Sequence, residues 1–406
     1  MRILIVHNHY QRPGGEDVGV CDESGVLREH GHEVELLEAD NDHIHGFLAS
    51  AKTALTSIYN RSSKRRMAAA LARVKPDIVH VHNFFPVFSP SIYYACIEAG
   101  IPLVQTLHNY RLVCPSGILF RDGKVCEDCL GRKFAWPGVL HGCYRNSRAG
   151  TACVATMNFV HRWMKTYERA SALIVLTEFA RCKFLEAGFR ADKLVVKSPF
   201  VDVDPGIGNG KGDYFLFVGR LSEEKGILPL MKAWKELGTL APLRIAGDGP
   251  LADYCRHSQE SVPGIEFLGH RSRSEINELM KGARALIFPS LWYEGVPRTI
   301  LESFATGTPV IASKLGSMET LVQDRWTGLH FEAGEVAALT GQVKWALEHP
   351  PEWQRMRELA RAEYEAKYCA EPNYQMLMRI YEAARSRTPL PSAAAMNPLS
   401  AITSEV

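Results

Sequence analysis

Nowhere in the 406 residues does an apolar run approach the about eighteen needed to cross a bilayer as a helix. The opening stretch MRILIVHNHYQRPGG holds one short apolar strand, too brief for a secretory leader, so a cytoplasmic location is expected. A net charge of only +2 leaves no global footprint for nucleic acid. No GxGxxG occurs where it would mark a dinucleotide site. Cysteine, by contrast, is not scarce. In a reducing compartment the ten cysteines are expected to be buried, metal-bound or catalytic rather than paired as disulfides.

What remains is globular in composition, 46% hydrophobic and 23% charged, and long enough for two or three domains. Strand-like runs (RILIVHN, HEVELLEAD, DIVHVHN, IPLVQTLHN) alternate with helical spacings, which predicts an α/β chain with parallel sheets covered on both faces. The pattern restarts at YFLFVGR after KSPFVDVDPGIGNGKGD, a stretch dense in turn formers. Two Rossmann-like halves are therefore expected, neither with a short-period repeat. The first spans 1–200 with a Cys-rich insertion at 110–145, and a linker at 201–212 leads to the second at 213–370. A helix at 371–388 should pack back on the first half, and 389–406 reads as a disordered tail.

Ligands of open α/β sheets sit at the carboxyl ends of strands, so the loops there carry the chemistry. RPGGE (12–16) places Gly14 and Gly15 at a helix start, where backbone approaches an anion closely. In VGRLSEEKG (218–226), Arg220 and Lys225 bracket a turn into a helix and suit a diphosphate. GDGP (247–250) ends a further strand. In LWYEGVPRTILES, Glu294 falls in a strand-end loop and Glu302 within the following helix, with Pro297 as its first residue. The N–H groups of Gly295 and Val296 are free to face the same ligand. A carboxylate beside Ile300, Leu301 and Phe304 needs a partner, and sugar or ribose hydroxyls would serve.

These motifs carry a resemblance. EGVPRTILE fits the E-x7-E motif of retaining GT-B glycosyltransferases of family 4, and GRLSEEKG, GDGPL, FLGH, PVIAS and DRWTGLHF fall in that family's order. The resemblance covers most of residues 1–385 and implies two Rossmann-like domains facing across a cleft. It implies that Glu302 binds the nucleotide ribose, Glu294 donor-sugar hydroxyls, and Arg220 and Lys225 the diphosphate, on which the loop at Gly15 closes. His108, in QTLHNY, matches the histidine this family places beside the anomeric carbon. The family often follows it with Asp; here Asn109 stands instead. The implied reaction transfers a hexosyl group from a nucleotide-diphosphate sugar to a glycan or lipid-linked saccharide, with no catalytic cofactor and no nucleic-acid partner.

Three other features compete for function. Asp202-x-Asp204 looks like a metal-binding DxD but lies in the linker. Cys114-x11-Cys126-x2-Cys129-x13-Cys143 suits a structural zinc, with buried reduced thiols as the alternative. The basic and apolar stretch 48–77 either lies on anionic lipid or forms a solvated helix face. A GT-B nucleotide-sugar epimerase and a zinc-stabilised, non-catalytic binding protein are the rival functions.

Overall fold

A computed structural model describes residues 1–9, 14–40, 56–210 and 213–391. They fall into two units. One comprises 1–119, 126–199 and the chain from Ala370 onward; the other comprises 120–125 and 200–369.

The first unit is built on β1 (Arg2–Asn8), β2 (Glu33–Ala39), β3 (Ile78–Val81) and β4 (Leu103–Leu107). A small antiparallel hairpin, β5 (Phe120–Arg121) with β6 (Lys124–Val125), is counted with the other unit, and the first resumes with β7 (Ala172–Val175) and β8 (Leu194–Val196). The sheet runs β2-β1-β3-β4-β7-β8, every pair parallel. Ile3, Leu4, Ile5 and Val6 are all fully buried, as a strand covered on both faces requires. The helix Ala370–Ser386 completes this core, packing Leu377, Ile380 and Tyr381 against it together with Ile3, Ile5, Ile78 and Val104.

The second unit repeats the plan with β9 (Phe215–Val218), β10 (Leu243–Ala246), β11 (Ile265–Gly269), β12 (Ala285–Phe288), β13 (Val310–Ser313) and β14 (Gly328–Phe331). Its order is β11-β10-β9-β12-β13-β14, again all parallel. In each sheet the winding reverses once, between β1 and β3 and between β9 and β12. Those two points are where an open α/β sheet offers a crevice to a ligand.

The stretch expected as a linker packs on the second unit. Val201 is buried with Leu216 and Phe304, and its N–H donates to the Tyr368 carbonyl at 3.0 Å. Asp204 gives both oxygens to the Arg361 guanidinium at 2.8 and 2.6 Å. A Cβ on Gly208 would fall 2.1 Å from the Lys281 carbonyl oxygen, so glycine there serves close approach. Turn formers read alike whether a loop is loose or tightly seated. Lys211, Gly212 and residues 392–406 lie outside the described residues, so most of the expected tail is not described.

Of the basic stretch, residues 48–55 also lie outside the described residues. The rest includes the helix Arg61–Val74, capped by the Asn60 side chain. Its apolar residues Met67, Ala70 and Leu71 are buried in the unit, while Arg61, Arg65 and Arg66 face solvent. That apolar face is not available to enter lipid. No described helix is long and apolar enough to cross a membrane.

Candidate functional site

At the β9/β12 reversal the two strand-end loops press together. Gly226, at φ 74°, could carry no side chain, because a Cβ would lie 1.9 Å from the Pro289 carbonyl oxygen. The same residue closes the short turn Glu223–Lys225 and opens the helix Ile227–Leu237. Lys225 is thereby delivered to the neighbouring loop.

There its ammonium meets Glu294 at 2.7 Å. Oε1 of Glu294 also accepts from Ser290 Oγ at 2.5 Å and Trp292 Nε1 at 2.8 Å. Three donors on one oxygen offset the burial of a carboxylate that is only 7% exposed. The Lys225 ammonium also stands 5.5 Å from the Trp292 ring and 5.7 Å from that of Phe288. Ser317 Oγ donates to the Glu294 carbonyl at 2.8 Å, fixing the loop from behind.

Glu302 lies half-buried on the helix Arg298–Ala305, whose Ile300, Leu301 and Phe304 are fully buried. Pro297 caps this helix rather than opening it, a shift of one residue that leaves Glu302 inside. Gly295 and Val296 are half-buried between the two glutamates in sequence, and Arg220 is exposed just past β9.

The first unit gathers a different set. His108 follows β4, half-buried, and its Nε2 lies 3.0 Å from Nδ1 of His82, just past β3. His82 Nε2 lies 3.1 Å from Oε1 of Glu23, on the helix Gly15–Glu29. The other oxygen of Glu23 meets Lys197, just past β8, at 3.0 Å, and His80 Nδ1 is 3.0 Å from Oε1. Burial alone would raise the Glu23 carboxyl, yet the Lys197 ammonium and both imidazoles hold it well below the usual range. Burial, with His80 beside it, lowers His82 to about 4. Burial, and then His82, also holds His108 well below its ordinary value.

These states fix the protons. An ionised Glu23 only accepts, so a neutral His82 donates through Nε2 and accepts through Nδ1. His108 must then donate through Nε2, which leaves its Nδ1 as a lone pair. His82 thus orients His108, and Asn109 beside it accepts from the Arg111 N–H at 3.0 Å.

Gly15 opens its helix beside Gly14, whose N–H donates to Asp17 Oδ2 at 2.8 Å. Asp17 Oδ1 in turn contacts His7 Nε2 at 2.9 Å and His9 Nδ1 at 3.1 Å. Arg12 and Pro13 lie outside the described residues. Sequence reasoning passed over Glu23, His80, His82 and Lys197. The signal was present: DIVHVHN puts two histidines on one face of a buried strand, and Glu23 shares a helical face with Val20 and Leu27.

In the insertion, Cys114 and Cys129 are buried and Cys126 and Cys143 half-buried. Burial pushes the Cys129 thiol up to about 12, and the nearby Cys114, Cys143 and Cys126 sulfurs add to it. Among the described residues, the trios with ligand atoms within 4.8 Å of one another are His7–His9–Asp17 and Glu23–His80–His82; no three of these cysteines form one. In each trio the carboxylate already meets the imidazoles at hydrogen-bond distance, and His7 Nδ1 is buried without a partner.

Comparison with known proteins covers nearly the whole chain. The family model for glycosyl transferases group 1 matches residues 205–363, and that for Glycosyltransferase Family 4 matches 13–205. A glycogen synthase of Mycobacterium tuberculosis is 27% identical over 329 residues, 78% of this chain and 72% of the relative. A phosphatidyl-myo-inositol mannosyltransferase of Mycolicibacterium smegmatis is 24% identical over 362 residues, 84% of each. Anabaena Alr3699/HepE, solved in complex with UDP and glucose, superposes with a TM-score of 0.63 at 17% identity, covering 94% of this chain and all (100%) of that one.

Proposed function

The chain belongs to the family 4, group 1 glycosyltransferases, enzymes of GT-B fold, and from this we propose that it moves a hexosyl group from a nucleotide-diphosphate sugar to a glycan or lipid-linked saccharide, with retention at the anomeric carbon. The observation that carries the reading is the Lys225–Glu294 pair at the sheet reversal of the second unit, set beside a helix start and followed by Glu302.

In this reading Lys225 and Arg220 neutralise the diphosphate, aided by the N–H groups opening the helices at Ile227 and Arg298. Glu302 takes the ribose hydroxyls and Glu294 those of the sugar. Glu294, held by three donors, presents its carboxylate in one orientation. The leaving diphosphate accepts the acceptor's proton on the face it departs from, which yields retention. His108, neutral with Nδ1 unprotonated, offers a hydrogen-bond acceptor at the strand end of the first unit. UDP and glucose in Alr3699/HepE support a nucleoside-diphosphate hexose as donor, and the mannosyltransferase relative supports a lipid-borne acceptor. A cytoplasmic enzyme attached reversibly to the inner membrane face fits such an acceptor. An epimerase would need carboxylates free for acid–base work, whereas Glu294 is bound to a lysine.

For the insertion we propose a structural zinc held by Cys114, Cys126, Cys129 and Cys143. What supports it is that the Cys114, Cys126 and Cys143 sulfurs lie near buried Cys129 in a segment rich in turn formers. Closing that site requires the sulfurs to draw together.

Thermal-shift screening of nucleotide sugars tests the donor reading. A ligand at 100 times its Kd should stabilise the fold by about 2.7 kcal/mol. A panel of uridine, guanosine and adenosine diphosphate sugars with no shift would overturn it.

A further inference from the structure

The first unit carries a cluster of exposed aromatic and aliphatic side chains that neither its core nor its site uses. Trp163, at the end of the helix Arg148–Trp163, is 77% exposed, and Phe159 one turn earlier is also exposed. Across from them the insertion's helix Trp136–His141 shows Trp136 at 50% and Leu140 at 55%, again one turn apart. The two helices are joined: Phe134 packs edge-on against Phe159 at 6.0 Å, and Arg148 Nε donates to the Leu140 carbonyl at 2.9 Å. Met164, exposed beside Trp163, meets the Tyr94 hydroxyl at 3.8 Å, and Tyr94 stands 6.0 Å from exposed Tyr59. Tyr59 directly precedes the capped start of the basic helix Arg61–Val74.

The apolar groups are rimmed by cations. A recess beside Trp163 is lined by Lys133, Arg162 and Lys165 against one carboxylate, Glu168. Arg132 lies over the Trp136 ring at 5.2 Å. Exposed apolar side chains in such number mark a binding surface. Tryptophans interleaved with Lys and Arg, spread over two helices rather than lining one groove, suit the interface of an anionic bilayer, where indoles sit at headgroup depth and cations meet phosphates.

We propose that the first unit docks on an anionic lipid surface through Trp136, Leu140, Phe159 and Trp163, with Lys133 and Lys165 on the headgroups. The contact differs from the sequence expectation, in which the stretch 48–77 either lies on anionic lipid or forms a solvated helix face. It deepens the proposed lipid-borne acceptor and rests on that reading for its purpose, but not for its test.

The test is flotation of the full chain with phosphatidylcholine vesicles, with and without phosphatidylglycerol, alongside calorimetry with nucleoside diphosphates. The chain should float with the anionic vesicles and stay behind with phosphatidylcholine alone. Lys133→Glu with Lys165→Glu should lower partitioning by about 25-fold or more, at roughly fivefold per cation removed. Trp163→Ser, an exposed change that leaves the core intact, should lower it at least about tenfold, with nucleotide affinity unchanged in both variants. Equal flotation on both vesicle types, flotation indifferent to these variants, or a wild-type dimer that Trp163→Ser dissociates without any flotation would each overturn the proposal. Flotation without nucleotide binding would uphold the docking surface and refute the donor reading instead.

Discussion

Lys225 and Glu294, 69 residues apart in sequence, meet at 2.7 Å where the second sheet reverses its winding. Each had been assigned a separate contact with the donor from sequence. Their pairing means that neither acts alone: the carboxylate orients the ammonium, and the ammonium is one of three donors on a buried carboxylate oxygen. Glu294→Gln should therefore weaken donor binding as well as turnover. Loss of a charge-assisted contact of roughly 1.5–3 kcal/mol corresponds to about 10- to 150-fold in Kd. A double-mutant cycle with Lys225→Met measures the coupling. Additive effects of the two changes would mean the pair is incidental.

Activity should survive EDTA, because Arg220 and Lys225 supply the positive charge that a divalent ion provides elsewhere. The decisive assay is product formation after chelation and dialysis. An enzyme fully silenced by EDTA and restored by Mn²⁺, but not by Zn²⁺, would assign a metal role to the diphosphate site.

The first unit should lose stability as pH falls from about 6.5 toward 4. His82 is lowered to about 4 from its ordinary 6.5, so the unfolded chain takes up a proton there before the folded one. Stability is full above the ordinary value and declines through this window, by roughly 3 kcal/mol from His82 alone. Glu23, His80, His108 and Lys197 surround it, and His108 is lowered in the same direction. Hydrogen exchange at β3 and β4 against pH reads the effect, and flat protection between pH 7 and 4 would contradict it. Glu23→Gln, which strands buried Lys197, should cost about 3–5 kcal/mol.

Purified protein should carry close to one equivalent of zinc by elemental analysis. Cys126→Ser should release it and open residues 110–145 to protease. Because His108 lies shortly before Cys114, turnover should fall more than donor affinity. A zinc-free preparation with a protease-resistant insertion would mark the four thiols as ordinary.

Much of this was legible in the chain. The alternation of apolar strands and helices gave both sheets, since covered parallel strands are apolar throughout, as Ile3 to Val6 are. Arg220, Lys225, Glu294 and Glu302 could be singled out because motif spacing is local. The contacts between motifs were not, because register and strand order decide them: nothing local ties Lys225 to Glu294, or Lys197 to Glu23. The packing of the segment at 200–210 was not legible for a related reason. Proline, glycine and aspartate mark a turn, and only packing on Tyr368, Thr306 and Arg361 shows that it is bound down.

The most direct measurement is calorimetric titration of the full chain with nucleoside diphosphates and their hexose conjugates. One nucleotide should bind at one site per chain, and Lys225→Ala and Glu302→Ala should each weaken it by about tenfold or more while the melting temperature holds. Failure of every nucleotide to bind, or affinity unchanged in both variants, would contradict the assignment of a nucleotide-sugar site to these residues.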